Sequence, residues 1–287
     1  MVSGSMLPVT IQTGMIDSPL RALAQRRLES LDTVDRVAYP EESLQDKIEE
    51  RIIGPSIIEA LRSGGDGPGW LLEVKKASPS KGHLSSLSAI ELCHSFVGAG
   101  ADALSVLVDS ANFGGHPSDL EEGCRAYPNV PFLFKDFVAT EYQVRLARAL
   151  GASSVLLMTQ LLERSHLEDL YRLATELKLT PFVETHHRKE LEWALDLGAE
   201  MIGINARDFS TEGLPVELDT TPKRIEEVGA SRFEGRLLVA QSGLEIEEDL
   251  NRLINSCPPR LPHAVQIGSA LGGTGGPPSW VGKGSKD

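Results

Sequence analysis

Charged side chains close several short apolar runs of this sequence, and they are of the types that transfer protons. Glu73 and Lys75 end one run, two residues apart and therefore on one face of a strand. Lys135 ends a second run and Glu184 a third. A carboxylate can act as a general base and an ammonium group as a general acid. Because burying an ionised group is costly unless it is paired or used, these residues form either a neutralising network or a reaction site.

A repeated unit indicates the elements that carry these residues. Gly100-Ala101, Gly151-Ala152 and Gly198-Ala199 each follow an amphipathic stretch and precede an apolar run. Each glycine is typical of a helix C-terminus that leads directly into a strand. The interval of about 50 residues holds two helix–strand units, so further strands are expected between these three. The other apolar runs, which bring the candidate strands to eight, are Trp70–Lys75, Pro131–Lys135, Thr180–Glu184, Arg236–Gln241 and His263–Gly268.

Eight strands rich in Leu, Val and Ile and separated by helical patterns predict an α/β fold with a parallel sheet covered by helices. Residues 70–271 have the length of a closed (β/α)₈ TIM barrel. A doubly wound open sheet is the alternative. It is disfavoured because no G-x-G-x-x-G follows the first strand.

The two ends of the chain are predicted to lie outside the barrel. Residues 1–69 form an N-terminal helical extension packed on it, because Leu20–Leu31 and Glu42–Ile53 carry apolar residues at helical spacing. A solvated acidic extension is the alternative. Residues 272–287 are rich in Gly and Pro and form a flexible tail in place of most of the last helix. The barrel is then either open at that flank or covered there by a partner or by the N-terminal segment, and we expect lower stability or dependence on association through the flank.

In a TIM barrel the carboxyl ends of the strands meet at one rim, where binding and catalytic residues lie. We therefore expect the four ionisable residues to surround one cavity, and a ring of this size favours a binding site over a neutralising network. Ser242-Gly243 and Gly268-Ser269 end the last two strands. Barrels commonly bind phosphate there through backbone N–H groups, so the ligand is expected to be a phosphorylated small molecule.

Composition and charge disfavour several classes of partner. The chain has 41 acidic and 28 basic residues, a formal charge of −13, and so offers no basic surface for nucleic acid or an anionic membrane. No apolar run approaches the roughly 18 to 20 residues that span a bilayer. The three cysteines form no C-x-x-C pair and the N-terminus lacks a secretory pattern, so a cytoplasmic location is expected. His186-His187 has no third ligand at standard spacing, and we predict no metal site.

At the predicted strand ends the sequence resembles the indole-3-glycerol-phosphate synthase family, the TIM barrel of tryptophan biosynthesis. The segment Glu73-Val74-Lys75-Lys76-Ala77-Ser78-Pro79-Ser80-Lys81-Gly82 is similar to the family's first-strand signature. The later segments that resemble its successive strand ends are Ser105-Val106-Leu107 with Phe113-Gly114-Gly115, Phe134-Lys135-Asp136-Phe137, Val183-Glu184, Gly203-Ile204-Asn205-Ala206-Arg207-Asp208, Ser242-Gly243-Leu244 and Ile267-Gly268-Ser269-Ala270-Leu271. One short motif would be weak evidence, whereas this ordered series from Trp70 to Leu271 is specific.

The resemblance implies a carboxy-lyase that converts 1-(2-carboxyphenylamino)-1-deoxyribulose 5-phosphate to indole-3-glycerol phosphate with loss of carbon dioxide and water. It implies no cofactor and no metal. Lys135 would be the general acid and Glu184 the base, with Glu73 as an orienting or proton-carrying carboxylate and Lys75 as a phosphate ligand that assists. The positions implied to bind the rest of the substrate are Ser78, Phe137, Leu156, Asn205, Arg207, Gln241 and Ser242. Those implied to bind the phosphate beside Lys75 are Gly243, Gly268 and Ser269.

Three departures from the family pattern leave alternatives open. Gln241 stands where members usually carry glutamate, the loop 108–112 differs, and the Gly-rich tail replaces a closing helix. Glutamine can bind a hydroxyl but carries no charge at neutral pH. One alternative is therefore a paralogue that acts on another aryl-amino sugar phosphate. Another is a catalytically weak homologue that binds a ligand or serves in an assembly.

Overall fold

Eight parallel strands close into a barrel. The computed structural model describes residues 18–63, 67–78, 82–209, 211–268 and 277–282. The strands are β1 Gly69–Val74, β2 Ala103–Leu107, β3 Phe132–Lys135, β4 Ser154–Met158, β5 Thr180–Thr185, β6 Met201–Asn205, β7 Leu237–Gln241 and β8 Ala264–Ile267. Each pairs with the next in parallel, and β8 closes on β1 where Val265 lies opposite Trp70. The predicted TIM barrel is confirmed, and the open-sheet alternative is wrong.

The strands lack the alternation of apolar and polar residues that marks a sheet with one wet face. Every residue of β1, β4 and β6 is buried, because one face packs on helices and the other fills the barrel interior. Polar residues therefore enter the interior mainly where strands end. The ionisable and hydrogen-bonding side chains of the interior are therefore concentrated at the carboxyl-terminal rim of the barrel.

Three helices precede the barrel: α1 Pro19–Ser30, α2 Glu41–Glu50 and α3 Ile57–Arg62. Helix α1 continues through a π-helical stretch, Leu31–Asp35, into a last turn. Its inner face is apolar, with Leu20 and Leu23 buried. Leu44 of α2 and Leu61 of α3 are buried in the same way. The described apolar residues of these helices belong to the core of the barrel and its covering helices.

Seven helices of the described ranges follow β1 to β7 and cover the barrel: α4 Ala89–Gly98, α5 Pro117–Ala126, α6 Glu141–Leu150, α7 Arg164–Glu176, α8 Arg188–Asp196, α9 Thr220–Val228 and α10 Glu247–Ser256. Gly100, Gly151 and Gly198 follow three of them with φ of 89°, 98° and 81°. Only glycine adopts this left-handed region at little cost, so each ends a helix and turns the chain into the next strand. The predicted helix–glycine–strand unit is confirmed.

The segment 277–282 packs against the amino-terminal end of β1. The rings of Trp280 and Trp70 lie 6.3 Å apart between centroids, and Val281 is buried in the core. Residues 269–276, where the predicted tail begins, lie outside the described residues. The division at residues 69 and 271 and the association through the C-terminal flank stay predictions. Within the described ranges, no helix has the length and apolar character to cross a membrane.

Candidate active site

The carboxyl ends of the strands surround one cavity of about 1090 Å³, a volume that includes its open mouth. It brings together every predicted site residue that the structure describes. The residues in question are Glu73, Lys75, Ser78, Lys135, Phe137, Leu156, Glu184, Asn205, Arg207, Gln241, Ser242, Gly243 and Gly268. Ser269 lies outside the described residues. Residues separated by almost 200 positions in the sequence therefore meet in one place because eight parallel strands deliver their ends to one rim.

Two ammonium groups and two carboxylates form the centre of the cavity. Lys75 Nζ lies 2.6 Å from Glu73 Oε1, a tight ion pair. Lys135 Nζ lies 3.9 Å from Glu73 Oε2 and 3.7 Å from Glu184 Oε2. Lys135 is therefore placed between the two carboxylates but is in close contact with neither of them. The arrangement supplies a proton donor flanked by two acceptors.

Glu73 is buried, and its surroundings decide its charge. Burial by itself raises the pKa of this carboxyl, but the ammonium groups of Lys75 and Lys135 and hydrogen bonds from Lys75 and Gln266 outweigh it, and the pKa lies below its ordinary value. The carboxylate is thus ionised at neutral pH. Burial lowers the pKa of Arg207, which also lines the cavity, against the raising effect of Glu73 and Glu245.

Two buried amides connect the carboxylates. Gln241 Nε2 donates to Glu184 Oε2 at 2.7 Å and to Gln266 Oε1 at 2.8 Å. Gln266 Nε2 donates to Glu73 Oε2 at 2.9 Å. Sequence reasoning missed Gln266. The available signal was a lone amide within the apolar run of β8, which a packed interior does not require.

Two glycines leave room for these side chains. A Cβ at Gly268 would lie 2.5 Å from Glu73 Oε1 and 3.2 Å from Lys75 Nζ, so the ion pair occupies the space of the missing side chain. A Cβ at Gly203 would lie 2.1 Å from Gln241 Oε1. The distances of 2.5 and 2.1 Å are shorter than real Cβ contacts, so a larger residue at either position would displace Glu73 or Gln241.

The turn after β7 has an unusual backbone. Ser242 and Gly243 have φ of 65° and 80°, two consecutive residues in the left-handed region. For a serine this conformation costs on the order of 1 kcal/mol, and such strain clusters where backbone contacts a ligand. This turn and Gly268 lie beside each other at the rim, where a phosphate was predicted.

Apolar side chains form the other wall of the cavity. The rings of Phe113 and Phe137 lie 6.0 Å apart, and Leu156 and Met158 of β4 lie beside them. Helix α1 contributes Leu23, which sequence reasoning did not assign to the site. The position of a helix against a barrel follows from tertiary contacts, and no local pattern of α1 indicates it. The cavity can therefore hold an aromatic ring next to the charged centre.

A buried ion triad fixes the segment that follows Lys135. Arg27 of α1, fully buried, donates to Asp136 Oδ1 at 2.8 Å and to Asp35 Oδ2 at 2.6 Å. Burial acts to lower the pKa of Arg27, and Asp136 and Asp35 raise it well above its ordinary value. The carboxyl of Asp109 lies close by, and burial and then Asp136 raise its pKa to about 6 against the lowering effect of Asn112 and Arg27. The extension is thus attached directly to the residue after the candidate acid.

Asn205 and Arg207 leave β6 on a fixed backbone. Asn205 Oδ1 accepts from the Arg207 backbone N–H at 3.0 Å, and Arg207 Nη1 donates to the Leu214 carbonyl at 3.1 Å. His186 Nδ1 lies 2.6 Å from the Asn205 carbonyl and donates to it. The guanidinium is half-buried at the cavity wall. It is placed to bind an anionic group of a ligand.

His186, His187 and Asp208 offer ligand atoms that lie within 4.8 Å of one another, and Asp208 was not expected as a third ligand from sequence spacing. Two of these residues already have hydrogen-bond partners: His186 Nδ1 donates to the Asn205 carbonyl, and Asp208 accepts from Thr211 Oγ1 at 2.7 Å. The absence of a metal from the reaction stays a prediction.

Comparison with known proteins points to one family. Residues 20–274 match the family model described as indole-3-glycerol phosphate synthase. The chain is similar to the indole-3-glycerol phosphate synthase of Polaromonas naphthalenivorans strain CJ2, with 36% identity over 242 residues, 83% of this chain and 89% of that protein. It is also similar to indole-3-glycerol phosphate synthase 1 of Streptomyces coelicolor, with 41% identity over 215 residues, 75% of each chain.

Among solved structures, the N-acetylmannosamine-6-phosphate 2-epimerase from Clostridium perfringens aligns with a TM-score of 0.55 and 10% identity. The alignment covers 78% of this chain and 93% of that one. At this identity the likeness concerns the barrel fold alone.

Proposed function

The chain belongs to the indole-3-glycerol phosphate synthase family, and from that membership we propose that it converts 1-(2-carboxyphenylamino)-1-deoxyribulose 5-phosphate to indole-3-glycerol phosphate. This makes it a carboxy-lyase of tryptophan biosynthesis. The observation that carries the proposal is the position of Lys135 between Glu73 and Glu184, in a cavity with one apolar wall and one glycine-rich rim.

Ring closure forms a bond between the aromatic carbon that bears the carboxylate and the ketone carbon of the sugar. The carbonyl electron pair moves to oxygen, which takes a proton from Lys135. The carboxylate then leaves as carbon dioxide, and its bonding pair restores the aromatic ring. Finally the new hydroxyl leaves as water with a proton from an ammonium group, and Glu184 takes the proton from the neighbouring ring carbon. Every step is an acid–base or bond-rearrangement step, so the proposal includes no cofactor and no metal.

The same cavity holds groups suited to both ends of the substrate. We assign the phosphate to the glycine-rich rim at Gly243, Gly268 and Ser269, with Lys75 beside it. Ser78, Asn205 and Arg207 are assigned to the carboxylate-bearing half of the substrate, and Phe137 and Leu156 to its ring. The half-buried guanidinium and the paired aromatic rings support these assignments. Gln241 and Ser242 are assigned to the sugar chain between the two ends.

A second candidate is a synthase-like enzyme for a different aryl-amino sugar phosphate. Gln241 favours it, because an amide replaces the carboxylate that the family usually carries and cannot accept a proton at neutral pH. The catalytically weak assembly homologue is disfavoured by the retention of Lys135, Glu184 and Glu73 in one cavity. Association through the C-terminal flank and a cytoplasmic location, which suits the three free cysteines, remain part of the proposal.

The test supplies the carboxyphenylamino-deoxyribulose phosphate and measures indole fluorescence and carbon dioxide release. Lys135→Met removes the ammonium group and is expected to lower kcat by about 10²- to 10⁴-fold. Lys223→Met, on the exposed surface of α9, is the matched control and should leave turnover unchanged. Turnover of the parent chain no faster than that of Lys135→Met would contradict the proposal. Turnover of another aryl-amino sugar phosphate instead would support the second candidate.

A further inference from the structure

The middle of β8 carries a buried amide that the proposed reaction does not use. Gln266 is 4% exposed and lies between Val265 and Ile267, which are both buried and apolar. Burying an amide without partners is unfavourable, because its hydrogen bonds to water are lost. An apolar residue would pack here at lower cost, so the role of this amide lies in its hydrogen bonds.

Those hydrogen bonds have only one consistent direction. Glu73 and Glu184 lie at the two ends of a series of four hydrogen-bonded side chains. When ionised they can only accept, so an amide nitrogen must face each of them. Gln241 presents Nε2 to Glu184, and the same nitrogen also reaches Gln266. Gln266 must therefore present its oxygen to Gln241, which leaves its own nitrogen for Glu73. The unbroken series is Glu184, Gln241, Gln266, Glu73.

We propose that Gln266 is a positioning residue of the active site, which through an amide bridge to Gln241 holds Glu73 and Glu184 apart on the two sides of Lys135. The bridge fixes one oxygen of each carboxylate, Oε2 in both cases, and these are the oxygens nearest to the lysine. The inference rests on the proposed function for the chemistry of Lys135 and Glu184. The bridge itself is a property of the fold.

The distances show what the bridge does for the lysine. Among the described residues no amide donates to Glu73 Oε1, and Lys75 Nζ lies 2.6 Å from that oxygen. Lys135 stays at 3.7 and 3.9 Å from oxygens that already accept amide hydrogens. An ammonium group in a tight ion pair loses acidity toward a substrate, whereas one held just outside contact keeps its proton available. The charged groups that face the bridged carboxylates are Lys75, Lys135 and Arg207.

The bridge also couples positions 241 and 266. A glutamate at position 241 would place a carboxylate oxygen opposite Gln266 Oε1. Both atoms are acceptors, so they would repel each other at hydrogen-bond distance. If Gln266 rotated to donate to it, the Gln266 oxygen would face Glu73 instead. Gln241→Glu alone is therefore expected to lower turnover in this chain, although glutamate is the usual family residue there. Removing the opposing oxygen with Gln266→Leu is expected to restore part of the loss.

The first experiment compares kinetics and pH profiles. Gln266→Leu is expected to lower kcat by about 10- to 100-fold, the effect of one hydrogen bond to a charged group, with KM within about threefold. The acidic limb of the kcat profile should move to higher pH, because Glu73 loses a donor that favours its ionised form. Val265→Ala is the matched control on the same strand, buried but outside the cavity. It should lower stability and leave the pH profile unchanged.

The second experiment is independent of turnover. Titration of the glutamate carboxyl carbons by NMR should show the Glu73 resonance shifting to a higher pKa in Gln266→Leu and staying in place in Val265→Ala. An unchanged titration, or unchanged kcat and pH profile in Gln266→Leu while the parent turns over, would overturn the inference and leave the proposed function standing. A parent chain that is folded but inactive would reject the proposed function, and the titration alone would then decide the bridge. If the effects of Gln241→Glu and Gln266→Leu on kcat simply multiplied in the double variant, the inferred coupling between the two positions would be overturned.

Discussion

Replacing Arg27 by methionine should destabilise the protein severely and in a pH-dependent way. Methionine has a similar length without charge, so the substitution leaves Asp35 and Asp136 buried without their counter-ion. Breaking a buried ion pair costs about 3 to 5 kcal/mol, and two carboxylates lose their partner here, so we expect the upper part of that range. At about 2 to 3 °C per kcal/mol for a chain of this size, the melting temperature should fall by about 10 °C or more.

The pH dependence separates an orphaned charge from simple loss of packing. Without Arg27 two carboxylates are buried without a counter-ion, and burial favours their neutral form. The penalty is therefore largest at high pH, where both are ionised, and is relieved as they take up protons on acidification. Thermal melts at pH 7.5 and pH 5 should show a smaller difference between variant and parent at pH 5.

Two further variants make the test decisive. Arg26→Met changes the exposed neighbour on the same helix and removes one exposed hydrogen bond, from Arg26 Nε to Asn112 Oδ1 at 3.0 Å, so it should alter stability by no more than about 1 kcal/mol. Combining Arg27→Met with Asp35→Asn and Asp136→Asn removes the orphaned charges and should recover much of the loss. A melting temperature for Arg27→Met within 2 °C of the parent, or an equal deficit at both pH values, would refute the assignment of this triad as the attachment of α1.

Three other substitutions test separate features. Asp109→Asn should flatten the pH dependence of stability. Because the pKa of Asp109 is about 6 in the folded protein against an ordinary 3.8, ionisation of Asp109 lowers the free energy of unfolding by up to about 3 kcal/mol as pH rises through that window. Urea melts at pH 4 and pH 7 that show the same change in the free energy of unfolding for parent and variant would contradict this. Gly268→Ala should lower kcat/KM at least tenfold, because the added methyl group displaces Glu73. Gly67 has open space around it, so Gly67→Ala is the control and should leave kcat/KM unchanged in the same assay. Trp280→Ala should lower the free energy of unfolding by about 1 to 3 kcal/mol without changing kcat, and an unchanged denaturation midpoint would show that its packing is not needed.

The parts of the fold that sequence predicts best are those set by local pattern. The eight strands and the glycines at 100, 151 and 198 follow from short apolar runs and from a backbone conformation that favours one residue type. The convergence of Lys135 and Glu184 follows in turn, because a closed parallel barrel leaves no other place for strand ends. None of these inferences needs knowledge of a specific tertiary contact.

The features that sequence did not predict depend on such contacts. Gln266 acquires its role only because β8 lies between β1 and β7 in a register that brings three side chains together. Arg27 meets Asp136 across 109 positions; its spacing from Leu20 and Leu23 places it on the inner face of α1, but no local pattern indicates which carboxylate it meets. The contribution of Leu23 to the cavity depends on that same contact.

The wall that α1 provides has a thermodynamic consequence. Leu23 lines the cavity while Arg27, one turn later, connects to the residue after Lys135. A molecule that fills the cavity binds only the docked helix, so part of its binding free energy suppresses local opening of α1. Amide hydrogens of this helix should therefore exchange more slowly when the cavity is occupied, and solvent should reach Lys135 whenever the helix detaches.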